Sequence, residues 1–234
     1  MKYFILFLLS ILPSAVVGQG QELKKGLIMP KPGESSISCC TYIPSSGLTV
    51  YNEPNGEPLG KLEPRTFDGS EEVYGAYLKV GQDSTILDYT NFHMIGYEVT
   101  ALLYVDKQGA FVKTHDGYWL SVEELESKEL ILTTWMDYLI KKGDVLGWYA
   151  NEPGLNLRAG PSTENTVLAT LKGDLWEITL TEEVNGLWCK VTVKQYREHP
   201  CSGGEDLVVQ TLTGWVKLLA DEQTPNVWNY SKGC

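Results

Sequence analysis

The chain has 234 residues and a formal net charge of −11, with 30 acidic and 19 basic side chains. An acidic surface repels phosphate groups, so this charge argues against nucleic-acid binding and against simple electrostatic attachment to anionic membranes or wall polymers. Hydrophobic residues make up 43% of the chain and aromatic residues 11%, which suffices for packed cores and excludes wholesale disorder.

The N-terminus has the order of a secretory signal peptide. Lys2 supplies a positive charge, residues 4–12 form a short apolar run, and small residues follow. The run is far shorter than the roughly 18 residues that a membrane-spanning helix needs. The sequence therefore predicts cleavage near Gly18, with Gly20 as the alternative, and an exported protein that is periplasmic or secreted and has no stable membrane insertion. The first cysteine comes well after this point, which argues against a lipoprotein.

Five cysteines in an exported protein leave one unpaired if the others form bridges. Cys201 lies in a loop rich in proline and glycine, and Cys234 is the last residue. A Cys201–Cys234 disulfide that fixes the tail is our hypothesis. Adjacent Cys39 and Cys40 cannot both join one ordinary bridge to a common partner, and their pairing stays open. Cys189 lies in an alternating strand pattern that predicts a buried thiol.

Strand patterns dominate the chain after a polar leader. Apolar residues alternate with polar ones in many short runs, and turn signals rich in Gly, Pro, Asn and Asp separate these runs at short intervals. This arrangement is typical of an all-β sandwich or barrel. Only residues 121–144 could hold a helix, with Ser121 as its N-cap and Glu123, Glu124 and Glu126 in its first part.

The chain also repeats itself loosely. "GLTVYNEPNGEPLGKL" at Gly47 is similar to "GLNLRAGPSTENTVLATL" at Gly154, and "DGYWLSVEEL" around Gly117 is similar to "TGWVKLLADE" around Gly214. The two pairs are spaced differently, which indicates two related modules with an insertion in the first. The predicted organisation is a signal peptide at 1–18, a leader or linker at 19–41, a first module at 42–141 and a second module at 142–234.

The second module resembles a known family. Residues 155–174, "LNLRAGPSTENTVLATLKGD", have an alternating strand, a Gly-Pro-Ser turn and an apolar strand that ends in Lys-Gly-Asp. "LWEITLTEEVNGLWCKV" and "TGWVKLL" follow in the order of bacterial SH3-like (SH3b) domains. The resemblance spans about residues 146–220 and, with a weaker resemblance at both ends of the first module, implies an all-β chain with two tandem small SH3-like β-barrels.

The resemblance also implies the direction of individual side chains. Leu155 and Leu157 are expected to point into the barrel, while Arg158 faces outward. Gly160 permits the turn that follows the first strand. Gly214 lets the closing strand approach its neighbours closely.

Residues for catalysis are missing from the sequence pattern. The three histidines, His93, His115 and His199, have no metal-ligand spacing. No nucleophile elbow, phosphate-binding loop or dinucleotide fingerprint is present in the sequence. The two modules use up the chain, which leaves no room for a separate catalytic domain. We therefore expect no enzyme activity, no cofactor and no metal site.

Aromatic residues are the remaining candidates for a site. Small barrels use tryptophan and tyrosine as core residues, but Trp188 shares its strand face with Lys190 and Thr192, which is the outward face. SH3 domains bind extended peptides in aromatic-lined grooves, and the bacterial modules are linked to wall peptides and glycans. We therefore expect a binding module for cell-wall peptide or glycan, or another surface polymer. The predicted ligand-binding residues are Trp188, Trp215, Tyr118 and Trp119.

A second function fits the same sequence. The protein could be a structural or protein–protein interaction protein of the cell envelope with no small ligand. In that case the two barrels pack together and present a loop such as residues 195–206, "QYREHPCSGGED", to an envelope protein. The fold alone does not decide between the two functions.

Overall fold

The computed structural model describes residues 22–32, 41–65, 75–96, 99–142, 147–204 and 206–230. The described chain is mostly β-sheet with two short helices, which confirms the prediction of an all-β protein. The predicted signal peptide lies outside the described residues, as do Cys39, Cys40 and Cys234. No helix in the described ranges is long and apolar enough to cross a bilayer.

The first sheet contains ten described strands and is antiparallel throughout. Its strands are β1 Gly26–Pro30, β2 Leu48–Tyr51, β3 Pro58–Pro64, β4 Ala76–Val80, β5 Asp83–Ile86, β6 Phe92–Gly96, β7 Val99–Gln108, β8 Phe111–Thr114, β9 Trp119–Ser121 and β10 Leu130–Thr134. They follow the order β10-β1-β7-β8-β9-β2-β3-β4-β5, and β6 also pairs with β7. No pairing among the described residues joins β10 to β5, so this sheet is open.

Strand β1 lies inside the region that the sequence predicts as a leader or linker. It pairs with β10 on one side and with β7 on the other, and Leu27 and Ile28 are fully buried. Residues 26–30 therefore belong to the core rather than to a linker. The run of three apolar residues, Leu27 to Met29, is too short to show a period and is flanked by Lys, Gly and Pro, which hides the strand in the sequence.

The second sheet has five described strands. They are β12 Leu155–Arg158, β13 Val167–Leu171, β14 Trp176–Asn185, β15 Trp188–Tyr196 and β16 Val208–Lys217, in the order β13-β12-β16-β15-β14. The short strands β11 Tyr149–Ala150 and β17 Val227–Trp228 pair separately. Leu157 and Cys189 are fully buried, as the alternation predicts. A Cβ at Gly214 would lie 2.6 Å from the carbonyl oxygen of Arg158, so only glycine allows this close crossing of β16 over β12.

Both helices lie within the region predicted to hold one. Helix α1, Val122–Ser127, begins after Ser121, whose hydroxyl accepts a hydrogen bond from the backbone N–H of Glu124 at 3.4 Å. This confirms the predicted N-cap. Helix α2, Trp135–Lys141, is capped in the same way by Thr134. Single turns of 3₁₀ helix at Tyr89–Asn91 and Pro200–Ser202 complete the described helices.

Two cores hold the described chain together. One lies on the first sheet and includes Leu62 and Leu120. The other joins the inner face of the second sheet to α2, where Leu139 belongs to the same cluster of buried residues as Ile178 and Leu218. Helix α2 therefore packs on the second sheet although it precedes the predicted junction between the modules. The predicted boundary between residues 141 and 142 lies at the end of α2, and residues 143–146, which follow it, lie outside the described ranges.

Candidate functional site

The outward face of β15 and β16 carries the two tryptophans that the sequence predicts as ligand-binding. Trp188 lies opposite Lys217, and Lys190 lies opposite Trp215. Directly opposed residues of an antiparallel pair share a face, so the two rings are diagonal neighbours with a lysine beside each. Both tryptophans are partly exposed, whereas Cys189 on the other face is fully buried. We call this surface, with its two tryptophans and two lysines, the outer face.

The lysines of the outer face are held by carboxylates. Lys190 Nζ lies 2.8 Å from Glu183 Oε1, and Lys217 Nζ lies 2.5 Å from Asp221 Oδ1. Both acidic partners are largely exposed, so each ion pair is screened by solvent and weak. The outer face therefore presents two aromatic rings and two cations whose present partners are easily exchanged for other anions.

Tyr118 and Trp119 lie in a different place from the two tryptophans of the outer face. Both belong to the first sheet, where Trp119 is 6% exposed and pairs across the sheet with Lys113. The ammonium group of Lys113 lies 5.6 Å from the centre of the Trp119 ring. Tyr118 packs against the core of the same sheet. The structure therefore does not bring the four predicted residues together, and it gives Trp119 the position of a core residue.

A second aromatic site lies where the two halves of the chain meet. Its cavity has a volume of about 210 Å³. The walls are formed by β6, by α2, by the residue before β11, and by β17 together with Pro225 before it and Asn229 after it. The lining side chains that matter most are His93, Trp135, Leu139, Trp148, Trp228 and Asn229. We call this site the junction cavity.

His93 is the one titratable side chain in the lining of the junction cavity. Its ring meets Trp135 edge to face with 4.9 Å between centres, and Tyr138 at 5.7 Å. Burial, with a smaller contribution from the positive charge of Lys142, lowers the pKa of His93 to about 4. The imidazole is therefore neutral at pH 7. Lys142 Nζ itself donates hydrogen bonds to the carbonyl oxygen of Ile95 and the hydroxyl of Tyr138.

The sequence pattern does not predict the junction cavity. Its residues lie between positions 93 and 229 and come from four separate elements, so no local spacing connects them. Trp135 lies in a short helix, and Trp228 lies in a two-residue strand that alternation cannot predict. The only signal in the sequence is the unusual number of seven tryptophans.

The cysteines give no reactive site among the described residues. Cys189 is a free, fully buried thiol whose Sγ donates to the carbonyl oxygen of Thr181 at 3.3 Å. Burial raises the pKa of Cys189, which keeps the thiol protonated and unreactive. Cys201 is disulfide-bonded. The predicted partner, Cys234, lies outside the described residues, so the Cys201–Cys234 pairing stays a prediction. The described residues contain no cluster of His, Cys, Asp and Glu that could hold a metal ion.

Comparison with known proteins gives no relative for this chain. No family's sequence profile matches it, and no curated protein or solved structure is significantly similar to it. The resemblance of residues 146–220 to bacterial SH3-like domains is therefore a resemblance of sequence pattern alone. What the outer face and the junction cavity can bind follows from their side chains and their geometry.

Proposed function

We propose that this protein is an exported, non-catalytic binding module that holds a cell-wall peptide or glycan, or a related surface polymer, on its outer face. The observation that carries the proposal is the diagonal placement of Trp188 and Trp215, two partly exposed rings on one side of β15 and β16. Large aromatic side chains that a fold leaves open beside charged residues are typical of recognition surfaces.

The spacing of the two rings suits an extended ligand. Diagonal neighbours across an antiparallel pair are roughly 7–8 Å apart. Alternate residues of an extended chain are separated by about the same distance, because each residue advances it by roughly 3.3 Å. Two successive groups on one side of an extended wall peptide can therefore rest on Trp188 and Trp215. The ammonium groups of Lys190 and Lys217 lie beside these positions, where they can pair with carboxylates of the ligand.

The pairing of strands supports two related SH3-like modules, although no pairing among the described residues joins the outermost strands of either sheet. In the second sheet the opening strand β12 pairs with both β13 and the closing strand β16. In the first sheet β2 pairs in the same way with β3 and β9. These strands carry the two loosely repeated sequences, so the internal repeat extends to strand pairing. Contact between opening and closing strands is what a small barrel needs.

A sedimentation assay with purified peptidoglycan tests this function. We expect the mature protein to sediment with the polymer, and Trp188→Ala and Trp215→Ala each to weaken retention about tenfold, as expected for the loss of a central aromatic contact. Thr192→Ala is the matched control, because Thr192 lies on the same face of β15 without a ring.

Two results would contradict the proposal. If the wild-type protein is not retained on peptidoglycan, the alternative function is the better interpretation: a protein–protein interaction protein of the cell envelope with no small ligand. If retention is unchanged in both tryptophan variants, the polymer binds elsewhere.

A further inference from the structure

We infer that the junction cavity is a second binding site, and that it takes one neutral, hydroxylated ring: a single sugar residue. This inference is independent of the proposed function, because the cavity and the outer face share no residue.

Three tryptophans contribute to the walls of the cavity, and all three are held in place. Trp135 and Trp148 are 7% and 4% exposed, so both indoles are held by the core around them. The indole N–H of Trp228 donates to the carbonyl oxygen of Ala150 at 3.3 Å, which fixes the third ring. Indole faces pack well on the C–H faces of a ring-shaped ligand, and their rigidity lowers the entropy lost on binding.

Two neutral polar side chains in the lining have no hydrogen-bond partner among the described residues. They are His93 and Asn229. A neutral imidazole offers one donor and one acceptor, and a side-chain amide offers both as well. Both side chains are partly exposed, and the buried polar atoms that lack a partner among the described residues, Arg65 Nε and His199 Nε2, lie elsewhere. His93 and Asn229 are therefore open at the cavity and can hydrogen-bond a ligand that enters it. A hydroxyl group, which donates and accepts at once, is such a partner.

The charges around the cavity exclude ions as its preferred ligand. None of its lining residues is an aspartate, glutamate, lysine or arginine. A cation on the aromatic rings would lose its hydration and would find no negative group in the lining. An anion would find no positive group in the lining. Neutral hydroxyls on an apolar ring fit both the walls and the charge.

The size of the cavity limits the ligand to one ring. Its volume of about 210 Å³ is below the roughly 300 Å³ at which sites for drug-sized ligands begin. An oligosaccharide could therefore insert one residue and would leave the others outside.

Ligand-detected NMR and tryptophan fluorescence titrations of the full chain test the inference. The probes are glucose and N-acetylglucosamine, with choline and benzoate as charged controls. We expect at least one sugar to saturate the protein with a dissociation constant in the millimolar range, and neither ion to do so. His93→Phe keeps the edge-to-face ring contacts and removes both nitrogens, and we expect it to weaken sugar binding about tenfold.

Two controls separate the cavity from the rest of the molecule. His115→Phe replaces a histidine outside the cavity and should leave sugar binding unchanged. Trp188→Ala should also leave it unchanged while it weakens peptidoglycan retention, so the two proposals fail separately. Asn229→Ala gives a second test if His93→Phe does not fold. The inference is overturned if neither sugar binds, if choline binds more tightly than both sugars, or if the cavity variants that fold bind like the wild type.

Discussion

Tryptophan has two different environments in the two candidate sites. Trp188 and Trp215 stand partly exposed on the outer face, each opposite a lysine. Trp135 and Trp148 are buried beside the junction cavity, whose polar lining side chains, His93 and Asn229, are neutral. The fold therefore leaves two tryptophan rings partly exposed on the second sheet and buries two others in the core. Residue type alone does not distinguish these environments.

The largest expected effect of this difference is on stability. Trp148→Ala should lower the free energy of unfolding by about 3–5 kcal/mol, because it leaves a cavity in a core shared by α2 and the second sheet. Trp215→Ala should lower it by only about 1 kcal/mol or less, because its ring is partly exposed. Urea denaturation followed by circular dichroism measures both values. Similar losses for the two variants would show that the outer face is as well packed as the junction.

Much of the second sheet could be predicted from its sequence, because three of its five described strands, β14 to β16, have nine or ten residues and show a clear period. The alternation around Cys189 placed it and Val191 inward and Trp188 outward, as the structure has them. The first sheet is harder to predict, since its strand β1 is short and lies among leader-like residues. A strand of five residues between Lys, Gly and Pro is recognisable only through its partners β7 and β10.

The outer face could be predicted from the sequence, whereas the junction cavity could not. Two residues on adjacent strands of one motif were enough to predict the outer face. The cavity needs β17 beside β11 and α2 against the second sheet, and such long-range packing has no periodic signal. Tyr118 and Trp119 show where a sequence prediction fails. An aromatic pair at the start of a strand gives the same sequence pattern whether it faces solvent or the core, and the structure buries Trp119.

A second prediction concerns pH and the neutral character of the cavity. The pKa of His93 lies at about 4 in the folded chain and near 6.5 in the unfolded one, so the unfolded state binds more protons between these values. The free energy of unfolding should therefore fall as the pH drops from 6.5 towards 4, by up to about 1.4 kcal/mol per pH unit from His93. Above pH 6.5 His93 should add no pH dependence to the stability.

Urea denaturation at several pH values checks this dependence. His93→Phe should flatten the slope, and His115→Phe is the matched control that should keep it. Asp137 adds a loss at lower pH: the hydrogen bond from the Thr134 hydroxyl lowers the pKa of its carboxyl below the usual 3.8. If the slope of the free energy of unfolding against pH is unchanged in His93→Phe, the histidine of the wild-type protein is solvated. The junction cavity is then not a dry, neutral site.

The smallest expected effect lies on the outer face. Glu183→Gln removes the partner of Lys190, and the side chains of the pair are 62% and 35% exposed. Its removal should change the free energy of unfolding by less than about 0.5 kcal/mol.

The same substitution, Glu183→Gln, frees the ammonium group of Lys190 beside Trp215, so retention on peptidoglycan should rise at low salt and the gain should disappear in high salt. Asp221→Asn, which frees Lys217 beside Trp188, should act in the same way. A loss of retention in both variants would show that the carboxylates themselves contact the polymer, and the outer face would then select basic groups rather than acidic ones.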